Sequence, residues 1–140
     1  MGSPRPERLF RSYPAVPESV PAARHDVMRW LRERWDNGLG AHLADVELAV
    51  SEGVSNVVNH AYEEGARGEV RVDVRHDDDG LHIVIEDDGR GMLPRTDSPG
   101  VGLGLPLIAT VSARFDTRSR PGAGTRLSMV FRRRDRSAHA

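Results

Sequence analysis

The first residues that suggest chemistry lie along one predicted helix, and they are Glu52, Asn56, Asn59 and His60. At about 100° per residue, Asn56 lies about 40° from Glu52 and Asn59 about 20° on the other side, which makes one narrow polar stripe. The stripe borders an apolar face of valines, where polar groups need partners or a wet cavity. An amide oxygen can ligate Mg²⁺, and a carboxylate one turn away can take a proton from a nucleophile. The stripe therefore indicates either a metal-assisted transfer site or a solvated helix face whose amides fix helix contacts.

A second candidate is the acidic glycine turn Asp87-Asp88-Gly89-Arg90-Gly91, which follows a predicted strand. Glycine lets the backbone approach a flat ligand closely and reach positive φ. A carboxylate at the start of such a turn can accept a hydrogen bond from the exocyclic amine of adenine. The sequence therefore indicates a site for a purine base, with a plain acidic turn as the alternative.

A third candidate is the glycine-rich loop Gly100-Val101-Gly102-Leu103-Gly104, which precedes a predicted helix. Backbone N–H groups at a helix N-terminus point at anions and favour phosphate through the helix dipole. The spacing differs from the dinucleotide-binding fingerprint, and no β-α-β unit surrounds it. Further on, Gly124-Thr125 is typical of a hairpin turn, and the Thr125 hydroxyl is placed to reach back to Asp87.

These residues need a scaffold, and periodicity with turn signals predicts one. The predicted strands are 8–16, 69–75, 81–86, 115–120 and 125–131, and the predicted helices are 19–35, 41–61 and 103–113. Adjacent strands joined by tight turns favour a mixed, mostly antiparallel sheet. Three helices on one face of that sheet give a two-layer α+β sandwich. We expect a flexible N-terminus at 1–7, one domain over 8–132 and a basic flexible tail at 133–140.

Composition limits the classes of function that remain. The chain has 140 residues, a formal net charge of -1 and no cysteine. Thiolate metal sites and a cysteine nucleophile are excluded, and no global charge attracts nucleic acid or an anionic membrane. The sequence has no apolar run approaching the roughly 20 residues that span a bilayer, and its start lacks a signal pattern. We therefore expect a cytoplasmic protein without a membrane segment or direct contact with nucleic acid.

The basic residues add a sharper exclusion. All 20 are arginine, because the chain contains no lysine. A Walker A P-loop and a eukaryotic-type protein kinase both place a lysine on the phosphates, so neither fits. Codon bias is the simpler cause of the missing lysine, but the exclusion holds whatever the cause.

In their order along the chain, these patterns resemble the nucleotide-binding boxes of the Bergerat-fold (GHKL) ATPases, which include gyrase and histidine kinases. The residues that carry the resemblance are Glu52-x-x-x-Asn56, Asp87-x-Gly89-x-Gly91, Gly100-x-Gly102-x-Gly104 and Gly124-Thr125. Within that superfamily, the segments 47–56 and 13–20, together with His60-Ala61-Tyr62, are similar to the anti-sigma-factor serine kinases of the RsbW-like group. The resemblance covers about residues 8–132.

The resemblance implies a role for each part of the site. Glu52 would be the general base, Asn56 would ligate Mg²⁺, and Asp87 would bind the adenine of ATP. The implied nucleotide-binding set is Asn56, Asn59, His60, Asp87, Gly89, Gly91, Met92, Gly100, Val101, Gly102, Leu103, Gly104 and Thr125. The segment between Gly91 and Gly100 is short for a lid over the nucleotide, and Arg95 is the only basic residue in it.

The resemblance also implies partners. Such a protein would form a homodimer, sequester a sigma factor, and phosphorylate a serine on a small anti-anti-sigma (antagonist) protein. The alternative is an ATP-binding regulatory module that gates a protein partner without phosphotransfer. The presence of Glu52 favours the kinase, because a pure binding module has no need of a general base.

Overall fold

The computed structural model of the chain describes residues 8–34, 42–62, 68–77, 80–89, 111–120 and 122–132. Two α-helices and five strands lie in these ranges, and the second helix continues into a π-helical segment, Val57–Ala61. The strands are β1 (Arg8–Pro14), β2 (Glu69–His76), β3 (Gly80–Asp87), β4 (Arg114–Arg120) and β5 (Gly124–Arg132). The helices are α1 (Ser19–Arg34) and α2 (His42–Asn56).

The described strands form one sheet in the order β1-β2-β3-β5-β4, and every pairing among them is antiparallel. The predicted α+β class is confirmed, and the mixed pairing allowed by the sequence is absent from the described strands. Side chains alternate across each strand because successive Cβ atoms point to opposite faces. The inward face carries the buried apolar residues of the three central strands, which are Val70, Val72, Val74, Leu81, Ile83, Ile85, Leu127, Met129 and Phe131.

The two helices cover that apolar face. Ala23, Val27 and Leu31 of α1 are fully buried, as the predicted helical periodicity requires. On α2, Gly53 brings the helix unusually close to the sheet, because an added Cβ would lie 2.5 Å from Ile85 Cδ1. Glycine within a helix costs about 1 kcal/mol relative to alanine, and here that cost allows close packing of α2 on β3.

Two predicted boundaries need correction. β1 ends at Pro14 rather than at residue 16, because the chain turns there: Val16 N donates to Pro14 O at 2.8 Å. The second helix ends as an α-helix at Asn56 and continues with the wider π-helical turn, so 100° per residue does not hold beyond that point.

Other predicted segments fall outside the described residues. They are the segments at 1–7 and 133–140, and all of the third helix, 103–113, except its last three residues. They stay predictions, as does the division into domains. In the ranges that are described, no helix combines the length and apolar character needed to cross a bilayer.

Candidate functional site

The end of β3 lies beneath the second half of α2. Gly53 packs against Ile85, and beyond the ends of α2 and β3 Gly89 packs against the carbonyl oxygen of Ala61. Since residue numbers increase together at the two contacts, the helix and the strand run in the same direction. The helical residues between the contacts therefore lie above the C-terminal end of β3. This arrangement brings the polar residues of α2 and the acidic turn to one end of the sheet.

Asn56, the last residue of α2, is the most buried of the described polar side chains on that helix, with 7% of its surface exposed. Its Nδ2 finds no hydrogen-bond partner within the described residues. A buried polar group without a partner costs about 1–3 kcal/mol, and native proteins avoid such groups almost everywhere. The amide thus fits a role in holding a bound ligand, because a carboxamide offers both an oxygen for a hard cation and an N–H donor.

Glu52 lies one helical turn before Asn56 and is half-buried. It makes no hydrogen bond or ion pair with the residues that the structure describes. His60 is also half-buried, whereas Asn59 is exposed and donates its amide N–H to Ser55 Oγ at 3.2 Å. The predicted polar stripe therefore includes Glu52 and Asn56, which both lie within α2. Asn59 lies in the π-helical turn, on the solvent side.

Asp87 ends β3 and lies directly opposite Thr125 of β5. It is 3% exposed, and its Oδ1 accepts a hydrogen bond from Gly89 N at 2.8 Å. Burial raises the pKa of this carboxyl, and the backbone N–H groups of Gly89 and Thr125 offset part of that rise. A buried carboxylate held this way keeps acceptor capacity for a ligand amine. The sequence placed the Thr125 hydroxyl to reach back to Asp87. In the structure that hydroxyl lies 3.3 Å from Ser119 Oγ.

Two glycines hold the Asp87 turn in place. An added Cβ at Gly89 would overlap the Ala61 carbonyl oxygen. At Gly124, φ is +93°, a conformation that favours glycine, and an added Cβ would overlap the backbone carbonyl of Asp87. The turn is therefore packed between the end of the helix and the start of β5, and neither contact leaves room for a side chain.

The sequence assigned no role to two residues that also contact this turn. Tyr62 accepts a hydrogen bond from Asp88 N at 3.0 Å, and Arg71 contacts both oxygens of Asp88 at 2.7 and 3.1 Å. The hydrogen bond and charge of Arg71 hold the pKa of Asp88 below its ordinary value. Tyr62 belongs to the segment His60-Ala61-Tyr62, which carries part of the family resemblance. A tyrosine directly after the helix was therefore the one sequence feature that could have indicated this contact. Arg71 lies on β2 and Asp88 lies just beyond the end of β3, and no local pattern links them.

The rest of the predicted nucleotide site lies outside the described residues. These positions are Gly91, Met92, Gly100, Val101, Gly102, Leu103 and Gly104, and Arg95 of the short segment between the glycines lies outside as well. Their assignment to phosphate and adenine contacts stays a prediction. Among the predicted site residues, the described structure thus brings Glu52, Asn56, Asp87, Gly89 and Thr125 to one end of the sheet.

Comparison with known proteins places this arrangement in a family. The chain matches the family described as the histidine kinase-like ATPase domain over residues 13–131. It is 32% identical to an anti-sigma F factor of Pasteuria penetrans over 63% of this chain and 67% of that protein. It is 26% identical to a serine-protein kinase RsbW of Halalkalibacterium halodurans over 92% of this chain and 86% of that protein. The RsbW of Bacillus subtilis is 30% identical over 57% of this chain and 59% of that protein.

A solved structure agrees on the fold. The RsbU and RsbW domains of Rv1364c from Mycobacterium tuberculosis align with 94% of this chain at a TM-score of 0.68 and 21% identity. The chain spans 33% of the length of that protein. The family match covers most of the 140 residues and includes both the second helix and the Asp87 turn. The chain belongs to the histidine kinase-like ATPase domain family.

Proposed function

We propose that this chain is an ATP-dependent protein serine kinase that phosphorylates a small antagonist protein and sequesters a sigma factor. The relatives named anti-sigma F factor and serine-protein kinase RsbW support this assignment. Because a sigma factor acts in the cytoplasm, we place the chain there.

The observation that carries the kinase proposal is the pair formed by Glu52 and Asn56. The Asn56 amide nitrogen, which is buried and has no hydrogen-bond partner among the described residues, lies one turn from a half-buried carboxylate that also has no partner there. A structural ion pair would satisfy the carboxylate, and a plain helix contact would satisfy the amide. Both groups instead keep their capacity for a ligand, which is what a transfer site needs.

In the proposed reaction, the antagonist's serine oxygen attacks the γ-phosphorus of ATP. The new O–P bond forms as the bond between the γ-phosphorus and the β–γ bridging oxygen breaks, and ADP leaves with that oxygen. Glu52 takes the serine proton. Asn56 would hold Mg²⁺ through its amide oxygen, and the ion would neutralise phosphate charge. No group of three His, Asp or Glu side chains in the described ranges forms a metal site by itself, so phosphates and water would complete the coordination.

Asp87 would select the base. Its buried carboxylate would accept a hydrogen bond from the adenine amine, where guanine offers a carbonyl instead. Two acceptors facing each other leave a buried polar group unpaired, at a cost of about 1–3 kcal/mol. The backbone contacts from Gly89 and Thr125 would keep the carboxylate oriented before the nucleotide arrives.

The test is transfer of labelled γ-phosphate from ATP to a serine-bearing antagonist encoded near the gene. Glu52→Gln keeps the shape and removes the base, so transfer should fall at least about tenfold, since general-base help contributes 10²–10⁴-fold. ATP affinity should change little, because the carboxylate does not hold the phosphates. Glu47→Gln, an exposed carboxylate on the same helix, is the matched control and should change neither quantity.

Two outcomes would count against the proposal. Equal transfer by the wild type and by Glu52→Gln would remove Glu52 from the role of base. If the wild type binds ATP but neither phosphorylates an antagonist nor hydrolyses ATP, the chain is a regulatory module that binds nucleotide and gates a partner.

A further inference from the structure

Tyr62 occupies an unusual position at the end of the second helix. It follows the π-helical segment directly, and its extended backbone (φ -123°, ψ 149°) ends the helical path. Its ring lies flat on Gly68, because an added Cβ there would overlap three ring carbons. Gly68 therefore leaves the space in which the Tyr62 ring sits, next to the start of β2.

The Tyr62 hydroxyl uses all of its hydrogen-bonding capacity on backbone groups. It donates to Glu69 O at 2.7 Å and accepts from Glu69 N at 3.2 Å and from Asp88 N at 3.0 Å. A phenol has one O–H donor and acceptor capacity for two bonds. The oxygen therefore joins the first residue of β2 to the residue just beyond the end of β3.

The strand register explains why this link matters. Val70 pairs with Asp87, so the next pair along the β2–β3 ladder would be Glu69 with Asp88. At that step the hydroxyl lies between the two strands and bonds to both. β3 is thereby separated from β2 where the chain turns towards α2. The residue that it holds, Asp88, is the direct neighbour of the buried Asp87 carboxyl.

We propose that Tyr62 is a positioning residue for the nucleotide base, setting the path of the Asp87–Gly89 turn through its bond to the Asp88 amide. This rests on the proposed role of Asp87 in binding adenine. The same side chain connects the turn to the helix that carries Glu52 and Asn56. Without the hydroxyl, the Glu69 and Asp88 amides lose their shared partner, and the Asp87 carboxyl loses its fixed orientation.

The test is Tyr62→Phe, which keeps the ring on Gly68 and removes only the hydroxyl. Calorimetric titration with ATP should show a Kd raised about five- to tenfold, the loss expected for one or two hydrogen bonds. The number of sites per chain should stay the same, and the preference for ATP over GTP should shrink. A merely structural role would instead lower the binding-competent fraction and leave Kd and the nucleotide preference unchanged.

The chain offers a matched control in its only other tyrosine. Tyr13 donates its hydroxyl to Asp26 Oδ2 at 2.7 Å, and this contact lies between β1 and α1. Tyr13→Phe should lower thermal stability by a comparable amount and leave the Kd for ATP unchanged. Gly68→Ala displaces the Tyr62 ring while keeping its hydroxyl, so it should raise the Kd for ATP as Tyr62→Phe does. It provides a second test if Tyr62→Phe fails to fold.

The outcomes separate the two proposals. If wild type binds ATP and both Tyr62→Phe and Gly68→Ala bind it with unchanged Kd, the positioning role is overturned while the nucleotide site stands. If wild type binds no adenine nucleotide, the proposed function fails and the positioning role fails with it.

Discussion

Replacing Asp87 by asparagine separates the function of this carboxyl from its effect on stability. Only 3% of the surface of Asp87 is exposed, so an adenine amine would meet an ionised acceptor that is shielded from solvent. A hydrogen bond to a charged group contributes about 1.5–3 kcal/mol, which corresponds to about a tenfold to 150-fold change in affinity. Because asparagine keeps one oxygen acceptor, we expect the lower end of this range, which is an ATP Kd about tenfold higher than that of the wild type.

The same substitution should leave the nucleotide-free protein no less stable at neutral pH. Burial raises the pKa of Asp87 above its ordinary value of 3.8, which means that the folded state disfavours the ionised form. An acid whose folded pKa is raised contributes most to stability at low pH and loses that contribution as pH rises through the raised value. The wild type should therefore lose stability relative to Asp87→Asn between about pH 3.8 and neutral pH.

Calorimetry with ATP and urea denaturation at several pH values measure the two effects. Asp88→Asn is the matched control, because its carboxyl is adjacent but exposed, with 73% of the side chain accessible. The pKa of Asp88 is lowered by Arg71, so its stabilising contribution is lost as pH falls, the opposite direction. Unchanged ATP affinity in Asp87→Asn, or an equal loss in Asp88→Asn, would refute the assignment of the adenine contact.

Three further predictions concern the turn, the metal and association. Gly124→Ala should destabilise the fold by about 2–5 kcal/mol, since a positive φ costs about 1–2 kcal/mol and overpacking about 1–3 kcal/mol. Gly122→Ala, whose φ is +77° with open space around it, should cost only about 1–2 kcal/mol in chemical denaturation. Asn56→Ala should abolish the Mg²⁺ requirement of ATP binding, and a mutant with a normal requirement would place the ligand elsewhere. Among the described strands β1 lies at an edge of the sheet, and Phe10 on it is 48% exposed. Light scattering should therefore give a homodimer of about 31 kDa, twice 15.5 kDa, and a monomer at micromolar concentration would contradict this.

Much of the fold could be predicted because strand and helix periodicities leave direct traces in the sequence. The alternating apolar residues of β2 and β3 gave their bounds to within one residue at each end. For Phe10 and Tyr13, the periodicity did not predict which side chain would be buried. Either could have faced outward from a short edge strand, and the structure exposes Phe10 while burying Tyr13.

The residues of the candidate site could be predicted from the sequence, but the contacts that hold them in position could not. The spacing of Glu52 and Asn56 is a property of one helix, and Asp87 follows one strand, so local patterns suffice. The start of the π-helical segment is not visible in the sequence, because the spacing of the valines continues unchanged. The solvent exposure of Asn59 could therefore not be predicted. The contacts of Tyr62 with Asp88 depend on strand register and chain path, which only the folded arrangement provides.

The central claim is that the end of β3 and the second half of α2 form an adenine nucleotide site. Calorimetric titration of the wild type with ATP and with GTP, each in the presence of Mg²⁺, tests it most directly. We predict one site per chain and an ATP Kd at least about fivefold lower than that for GTP, from the cost of a mispaired buried acceptor. Equal affinity for the two nucleotides, or no binding of either, would contradict the account.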